Sequence, residues 1–283
     1  MTVFQSSPMS QPANGLFTAT EFKPLTAGHQ VLRLAENSAD IEAAQRLRYR
    51  VFYEELGAHP SPETTATRMD VDQFDSVCEH LIVEDMSLPA GQRVVGTYRF
   101  MRREHAQIAG GFYTAAEFDI SPITNREGAV MELGRSCVDI GYRDRNTMQL
   151  LWRGIAEYVM QHRIEVMFGC GSLSGIDPDK HALALSYLYY NHLPPEELRV
   201  RALPERYVEM RRVNPESIDA RRALVALPPL LKGYLRAGAF IGEGAVIDKQ
   251  FNTIDLCVIV KTDLITGRYT RHYDLGQGET KGN

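Results

Sequence analysis

The residues that could do chemistry are charged side chains standing where apolar ones belong. Residues 131–140, MELGRSCVDI, read as an interior strand, apolar or small at most positions, yet Glu132 and Arg135 interrupt it three residues apart. Side chains alternate along a regular strand, so this spacing sends the two to opposite faces. Gly134 stands between them, and a glycine inside a strand often marks a bulge. One inserted residue would return both charges to one face. It would also splay this strand from its neighbour and free backbone N–H groups able to hold a thioester carbonyl or an amide-rich cofactor arm.

Other elements repeat the theme. A helix is expected over residues 38–56, with Asn37 or Ser38 at its N-cap and Gly57 at its end. At about 100° per residue, Ile41, Ala44, Leu47, Val51, Phe52 and Leu56 share one arc; Arg48 and Glu55 fall inside it, and Arg46 and Arg50 face away. Arg99 is expected to share a strand face with Val95, Thr97 and Met101. The loop MDVDQFD supplies Asp70, Asp72 and Asp75, with Phe74 as an anchor. A desolvated charge is costly unless paired. Arg48, Arg99 and Arg135 could therefore pair with Asp72, Asp75 and Glu132, either as an ion network that fixes the fold or as a site. Six such groups together favour a site, because coupled charges gather where chemistry is done.

The elements that must position them follow from periodicity and turn residues. Strands are expected at 31–35, 78–85, 94–101, 129–140, 166–173 and 253–261. Helices are expected at 38–56, 143–163, 177–193, 207–212 and near 229–238. This order gives an α/β fold: a mixed sheet flanked by helices, with a strand–helix–strand crossover at 129–173. Residues 1–28, rich in Ser, Pro, Gln and Thr, are expected to be a mobile tail. One domain is expected over 29–265, its C-terminal α/β extension being about 194–265, and a second tail over 266–283.

The chain has 283 residues and a net charge of −5, which argues against a nucleic-acid partner. The charge is uneven: residues 141–236 hold 14 Lys/Arg against 11 Asp/Glu, a net of +3. That third is the expected dock for an acidic partner. The four cysteines are far apart with no CxxC pair, and the eight histidines show no metal spacing, so no metal is expected and the thiols read as reduced core residues. No basic, apolar leader opens the chain and no uncharged run reaches membrane-spanning length, so a cytoplasmic location is expected.

The charged set resembles a known signature. Arg48 with Phe52, Asp72-x-x-Asp75, Arg99 and Glu132-x-x-Arg135 look like the autoinducer-synthase branch of the GNAT-fold acyltransferases. Residues 177–210 and 227–260, DPDKHALALSYLYYNHLPPEELRVRALPERYVEM and LPPLLKGYLRAGAFIGEGAVIDKQFNTIDLCVIV, resemble the L-ornithine Nα-acyltransferases. The likeness spans about residues 31–265. It implies a GNAT-like sheet and transfer of a 3-hydroxyacyl group from acyl carrier protein to the α-amine of ornithine, giving lyso-ornithine lipid. No permanent cofactor is implied; the donor is the phosphopantetheine arm of the carrier. Contact with a membrane at the cytoplasmic face would suit a lipid product, although residues 224–241 read as a core helix. Two features depart from neighbouring families. Acetyl-CoA-using relatives carry Q/R-x-x-G-x-G/A where this chain has YRDRNTM, and lactone synthases usually have Ser or Thr where Gly134 stands. Both weaken those readings. The competing readings are a synthase of another N-acyl amino acid or homoserine lactone, and a non-catalytic carrier- or lipid-binding module.

Under this resemblance Glu132 is the expected general base for the amine, with Arg135 beside it. Arg48, Arg99 and Arg135 are the candidates to bind the acceptor's carboxylate, unless some of them only hold Asp72 and Asp75; those two acids could instead receive the acceptor's cationic side chain. The helix start at Arg143 and Arg145 is expected to meet the carrier and its phosphate. Tyr187, Tyr189 or Tyr190 is a candidate to protonate the leaving thiolate.

Overall fold

The structure is a computed structural model that describes residues 22–263. β1 (Leu25–Ala27) and β2 (Gln30–Leu34) form a hairpin that turns at Gly28, whose φ of +59° suits glycine. Residues 25–27, expected in the mobile tail, thus belong to the sheet. Leu25 and Ala27 pack on the core, and pairing with β2 satisfies their backbone. Residues 1–21 and the expected tail at 266–283 lie outside the described residues.

α1 (Ser38–Tyr49) is capped by Asn37, whose side chain accepts from the Asp40 N–H, and it continues as a π-helical turn, Arg50–Glu55. α2 (Pro62–Thr67), β3 (Glu79–Asp85) and β4 (Val94–Arg102) follow. α3 (Arg103–Ala109), β5 (Phe118–Asp119) and α4 (Ser121–Thr124) lead to β6 (Ala129–Val138). α5 (Arg145–Gln161) crosses to β7 (Ile164–Ser174), and α6 (Ala182–His192) comes next. The C-terminal part holds β8 (Arg201–Ala202), α7 (Ala220–Ala226), α8 (Pro229–Arg236), β9 (Phe240–Ile241), β10 (Val246–Asp248) and β11 (Thr253–Lys261).

The main sheet runs β1-β2-β3-β4-β6-β7-β11-β10, with β9 also on β11. Its neighbours are antiparallel except β6 and β7, which the α5 crossover makes parallel. On one face α5, α6 and α8 bury Leu150, Leu151, Ile155, Leu188, Leu231 and Tyr234 against Leu81, Tyr98, Phe100 and Met131. On the other, α1 and its π turn set Ala44, Leu47 and Val51 over Ile82, Val94 and Cys137. The expected helix at 207–212 is absent. Val208 instead exchanges backbone hydrogen bonds of 2.8 and 3.0 Å with Ala245, so a long-range bridge overrides a short helical pattern. Val95 was expected beside Arg99. A register shift opposite Val83 and Glu84 turns it to the other face, into the cluster under α5. The four cysteines are free thiols.

Candidate active site

β6 and β7 pair only as far as Glu132↔Phe168, although β6 continues to Val138 and β7 to Ser174. Beyond that point the strands part, and a cavity of about 260 Å³ opens through the sheet. Gly169 marks the parting: a Cβ there would lie 2.1 Å from the Leu133 carbonyl oxygen. Leu133, Gly134, Arg135 and Ser136 form one wall, and Cys170, Gly171 and Ser172 the other.

The expected bulge exists, one residue further on than Gly134. Thr97 pairs with Cys137 and Arg99 with Gly134, so Tyr98 alone faces both Arg135 and Ser136. Arg135 takes the left-handed conformation, φ +50°, which non-glycine residues seldom adopt. Glu132 and Arg135 both line the cavity. Ion pairs hold Arg135 in this conformation. Its Nε lies 3.1 Å from Asp70, its Nη2 donates to Asp72 at 2.9 Å, and its guanidinium packs between the rings of Tyr113 and Phe251.

The other charged residues divide. Arg48 is fully buried; its Nε donates to Asp70 at 2.8 Å and its Nη1 and Nη2 to Asp75 at 2.9 and 2.8 Å. Arg99 donates to Asp72 at 2.6 Å and to Asp75 at 2.7 Å. Burial pushes the Asp75 carboxyl up, but Arg48 and Arg99 outweigh it and hold it well below the usual range. Three guanidinium groups thus balance Asp70, Asp72 and Asp75. Arg99, Glu132 and Arg135 line the cavity; Arg48, Asp72 and Asp75 do not. The expected substrate contacts of those three are therefore corrected: their polar groups are spent on one another, and they brace the cavity wall. Asp70, on the same loop, is an equal member of the network.

Glu132 is 4% exposed, and its carboxylate oxygens accept from the backbone N–H groups of Tyr113, at 2.9 Å, and Thr114, at 2.6 Å. Burial raises its pKa, and those donors and Arg99 oppose the rise without cancelling it. The result is a fixed carboxylate more basic than usual.

Four features were missed by sequence reasoning. The π turn places Phe52 and Leu56 on the cavity; Glu55, expected inward, pairs at the surface with Arg143. Phe251, on the turn before β11, closes the roof over Arg135. Glu117, Cys170 and Asp255 form a cluster whose nearest polar atoms lie within 4.8 Å of one another. Burial and mutual repulsion lift Glu117 to about 7; burial lifts Asp255 to about 6, against the pull of Ser172 and Thr253. The cluster was expected neither as a metal site nor otherwise. It abuts a second groove, more open, lined by Tyr113, Glu117, Arg206, Asp248 and Gln250. Finally, Tyr98 and Tyr234 line the apolar side of the cavity. Both acids, like Arg99, are charged groups flanked by apolar residues, which is the signal that could have found them.

At the start of α5 the helix is already capped: the Asp144 carboxylate accepts from the Thr147 N–H at 2.8 Å. Arg143 holds Glu55 with two nitrogens and donates from Nε to the Val138 carbonyl at 3.0 Å. The expected phosphate seat there is corrected, because a carboxylate occupies it and Arg143 is committed. Arg145 is exposed. Tyr187, Tyr189 and Tyr190 do not line the cavity, so α6 supplies no proton donor to it. The ring of His181 meets the Ser174 carbonyl at 2.9 Å.

A mixed sheet with one parallel pair splayed around a buried carboxylate is the frame of an amide-forming acyltransferase, and residues 47–153 match the family model described as an acetyltransferase (GNAT) domain. The chain is 46% identical to the L-ornithine N(alpha)-acyltransferase of Rhizobium meliloti (strain 1021) over 87% of its own length and 84% of that relative. It is 47% identical to the same-named protein of Agrobacterium fabrum (strain C58 / ATCC 33970), covering 85% and 84%. Among solved structures, FeeM, an N-acyl amino acid synthase from uncultured soil microbes, aligns over 85% of this chain and 93% of its own, at 13% identity and a TM-score of 0.43. The chain belongs to the L-ornithine Nα-acyltransferase family. Among the described residues, no helix is long and apolar enough to cross a membrane.

Proposed function

We propose that this chain transfers a 3-hydroxyacyl group from the phosphopantetheine arm of acyl carrier protein to the α-amine of ornithine, the first step toward ornithine lipid. The observation that carries the reading is Glu132: a buried carboxylate, raised in basicity, fixed by two backbone donors on the wall of a cavity that passes through the sheet. The amine attacks the thioester carbonyl, the new C–N bond forms as the C–S bond breaks, and the proton shed by nitrogen passes to Glu132. Glu132 then returns that proton to the leaving thiolate, so the carrier departs as its thiol and the carboxylate is restored.

The acceptor's place follows from charge. Asp72 and Asp75 have their guanidinium partners already, so they do not receive the substrate's ammonium. Asp255 and Glu117 are the under-compensated acids: Arg206, 3.2 Å from Glu117, is their cation, and Asp255 has hydroxyl partners such as Thr253, at 2.8 Å. A substrate ammonium supplies the missing charge, and the acceptor's carboxylate falls to Arg99 or Arg135.

The test uses purified chain, 3-hydroxyacyl carrier protein and a panel of amino acids, with products identified by mass. Acyl-ornithine is expected. Glu132→Gln should lower turnover by about 10²–10⁴. An amide places an N–H donor opposite one backbone N–H, so a melting point lower by several degrees is also expected. Near-normal turnover in a folded variant removes Glu132 as the base.

A further inference from the structure

On the apolar side of the cavity, among Leu133, Pro228 and Leu230, three hydroxyls stand together. The Tyr98 and Tyr234 phenols lie 3.3 Å apart, and the Ser136 hydroxyl bonds to Tyr98. Both phenol side chains are buried, and all three residues line the cavity. A smaller recess lined by Met167, Val258 and Val260 shares the walls Leu133, Cys170 and Tyr234 and leads further into apolar surroundings. Tyr234 belongs to α8, where Trp152 of α5 packs edge-on against its ring at 5.2 Å, so the phenol's position is set by two helices.

A row of three hydroxyls joined by two hydrogen bonds has three protons to donate and uses two. One donor and one end acceptor are left over. In an apolar wall such a remainder is costly. A ligand hydroxyl completes the row because it can accept the spare proton and donate its own. A methylene does neither, and a ketone can only accept. Ser136 directly follows Arg135 at the bulge, so the row lies beside the point where the strands part and the thioester must sit. A chain entering the apolar arm would present the carbons nearest its carbonyl to these groups.

We infer that Tyr98, Tyr234 and Ser136 form a subsite that reads a hydroxyl on the acyl chain close to the thioester. This deepens the reading of the chain as a carrier-dependent acyltransferase and rests on it. The subsite sets donor specificity; it takes no part in making or breaking bonds.

The experiment compares matched carrier-bound donors of equal chain length, 3-hydroxyacyl and unsubstituted acyl, with ornithine as acceptor. The wild-type ratio of kcat/KM is expected to favour the hydroxylated donor at least tenfold. In Tyr234→Phe, and independently in Ser136→Ala, that ratio should collapse toward one. A ratio near one in the wild type overturns the subsite, as does a wild-type ratio kept in both folded variants. No transfer from either donor would remove the acyltransfer reading and the subsite with it.

Discussion

At the scale of single residues, the chain separates charges that brace from charges left under-compensated at the cavity. Arg48 illustrates the first kind: fully buried, it spends its donors on Asp70 and Asp75. Asp255 illustrates the second, being buried beside Glu117 with too little positive charge nearby. Replacing Asp255 by Asn should raise KM for ornithine by about tenfold, the value of one desolvated ion pair with a substrate. KM for norvaline, which lacks the side-chain amine, should stay the same, and kinetics with the two acceptors will decide. The same change has a stability signature. The folded pKa of Asp255 is raised to about 6 from 3.8, so between those values the folded chain keeps a proton that the unfolded chain has released. Stability contributed by this group is therefore lost as pH rises through that window. Asp255→Asn should melt higher than wild type at pH 8, by up to roughly 3 kcal/mol, and the advantage should vanish below about pH 4. A melting difference independent of pH would show that Asp255 ionises normally.

At the scale of elements, three local departures build the cavity: the π turn after α1, the bulge at Arg135 and the parting of β6 from β7. Gly169 makes the third possible, since its hydrogen stands where a methyl would press on the Leu133 carbonyl. Gly169→Ala should cost about 2 kcal/mol or more, because rigid backbone must yield. Acyltransfer should fall with it, even at temperatures where circular dichroism shows a folded chain. A variant as active and stable as wild type would mean that the strands part for another reason. These departures differ in how plainly the sequence announces them. Gly134 flagged a bulge, yet the inserted residue is Arg135, because ion pairs to Asp70 and Asp72 offset a conformation that its own backbone disfavours. The π turn leaves no such flag. A fixed 100° step puts Glu55 in the core, whereas five-residue hydrogen bonding, as from the Leu56 N–H to Val51 at 3.0 Å, rotates it out to Arg143. Strands and long helices were legible because their periodicity is local. Phe251 was not, since only the closed sheet brings it over Arg135 of β6.

At the scale of the whole molecule, the proposed transfer from an acidic carrier raises the question of how such a partner would find one cavity on a chain of net charge −5. The answer must lie in the distribution of charge. The acidic surplus sits before residue 141, and the buried set does not reduce it: Asp70, Asp72 and Asp75 are balanced by Arg48, Arg99 and Arg135 of the same segment. Residues 141–236 carry the basic surplus and supply α5 and α8, the two helices that meet at Tyr234 on the cavity's apolar side. Arg143 is tied to Glu55, but Arg145 at the start of α5 is exposed, as are Arg221 and Arg222 on α7, which directly precedes α8. Exposed charges of this kind steer encounter more than they hold a complex, and salt screens them over about 8–10 Å. Arg145→Glu should therefore raise KM for the carrier-bound donor several-fold at low salt, with the difference shrinking as ionic strength rises. KM for a small pantetheine thioester should be unchanged, because that donor has no acidic surface to steer. Arg221→Glu combined with Arg222→Glu should act in the same sense if the carrier spans both helices. Steady-state kinetics at two salt concentrations with both donors separates the cases. An equal rise for the two donors would place Arg145 in the pocket's support, and no rise for either would move the carrier to another face.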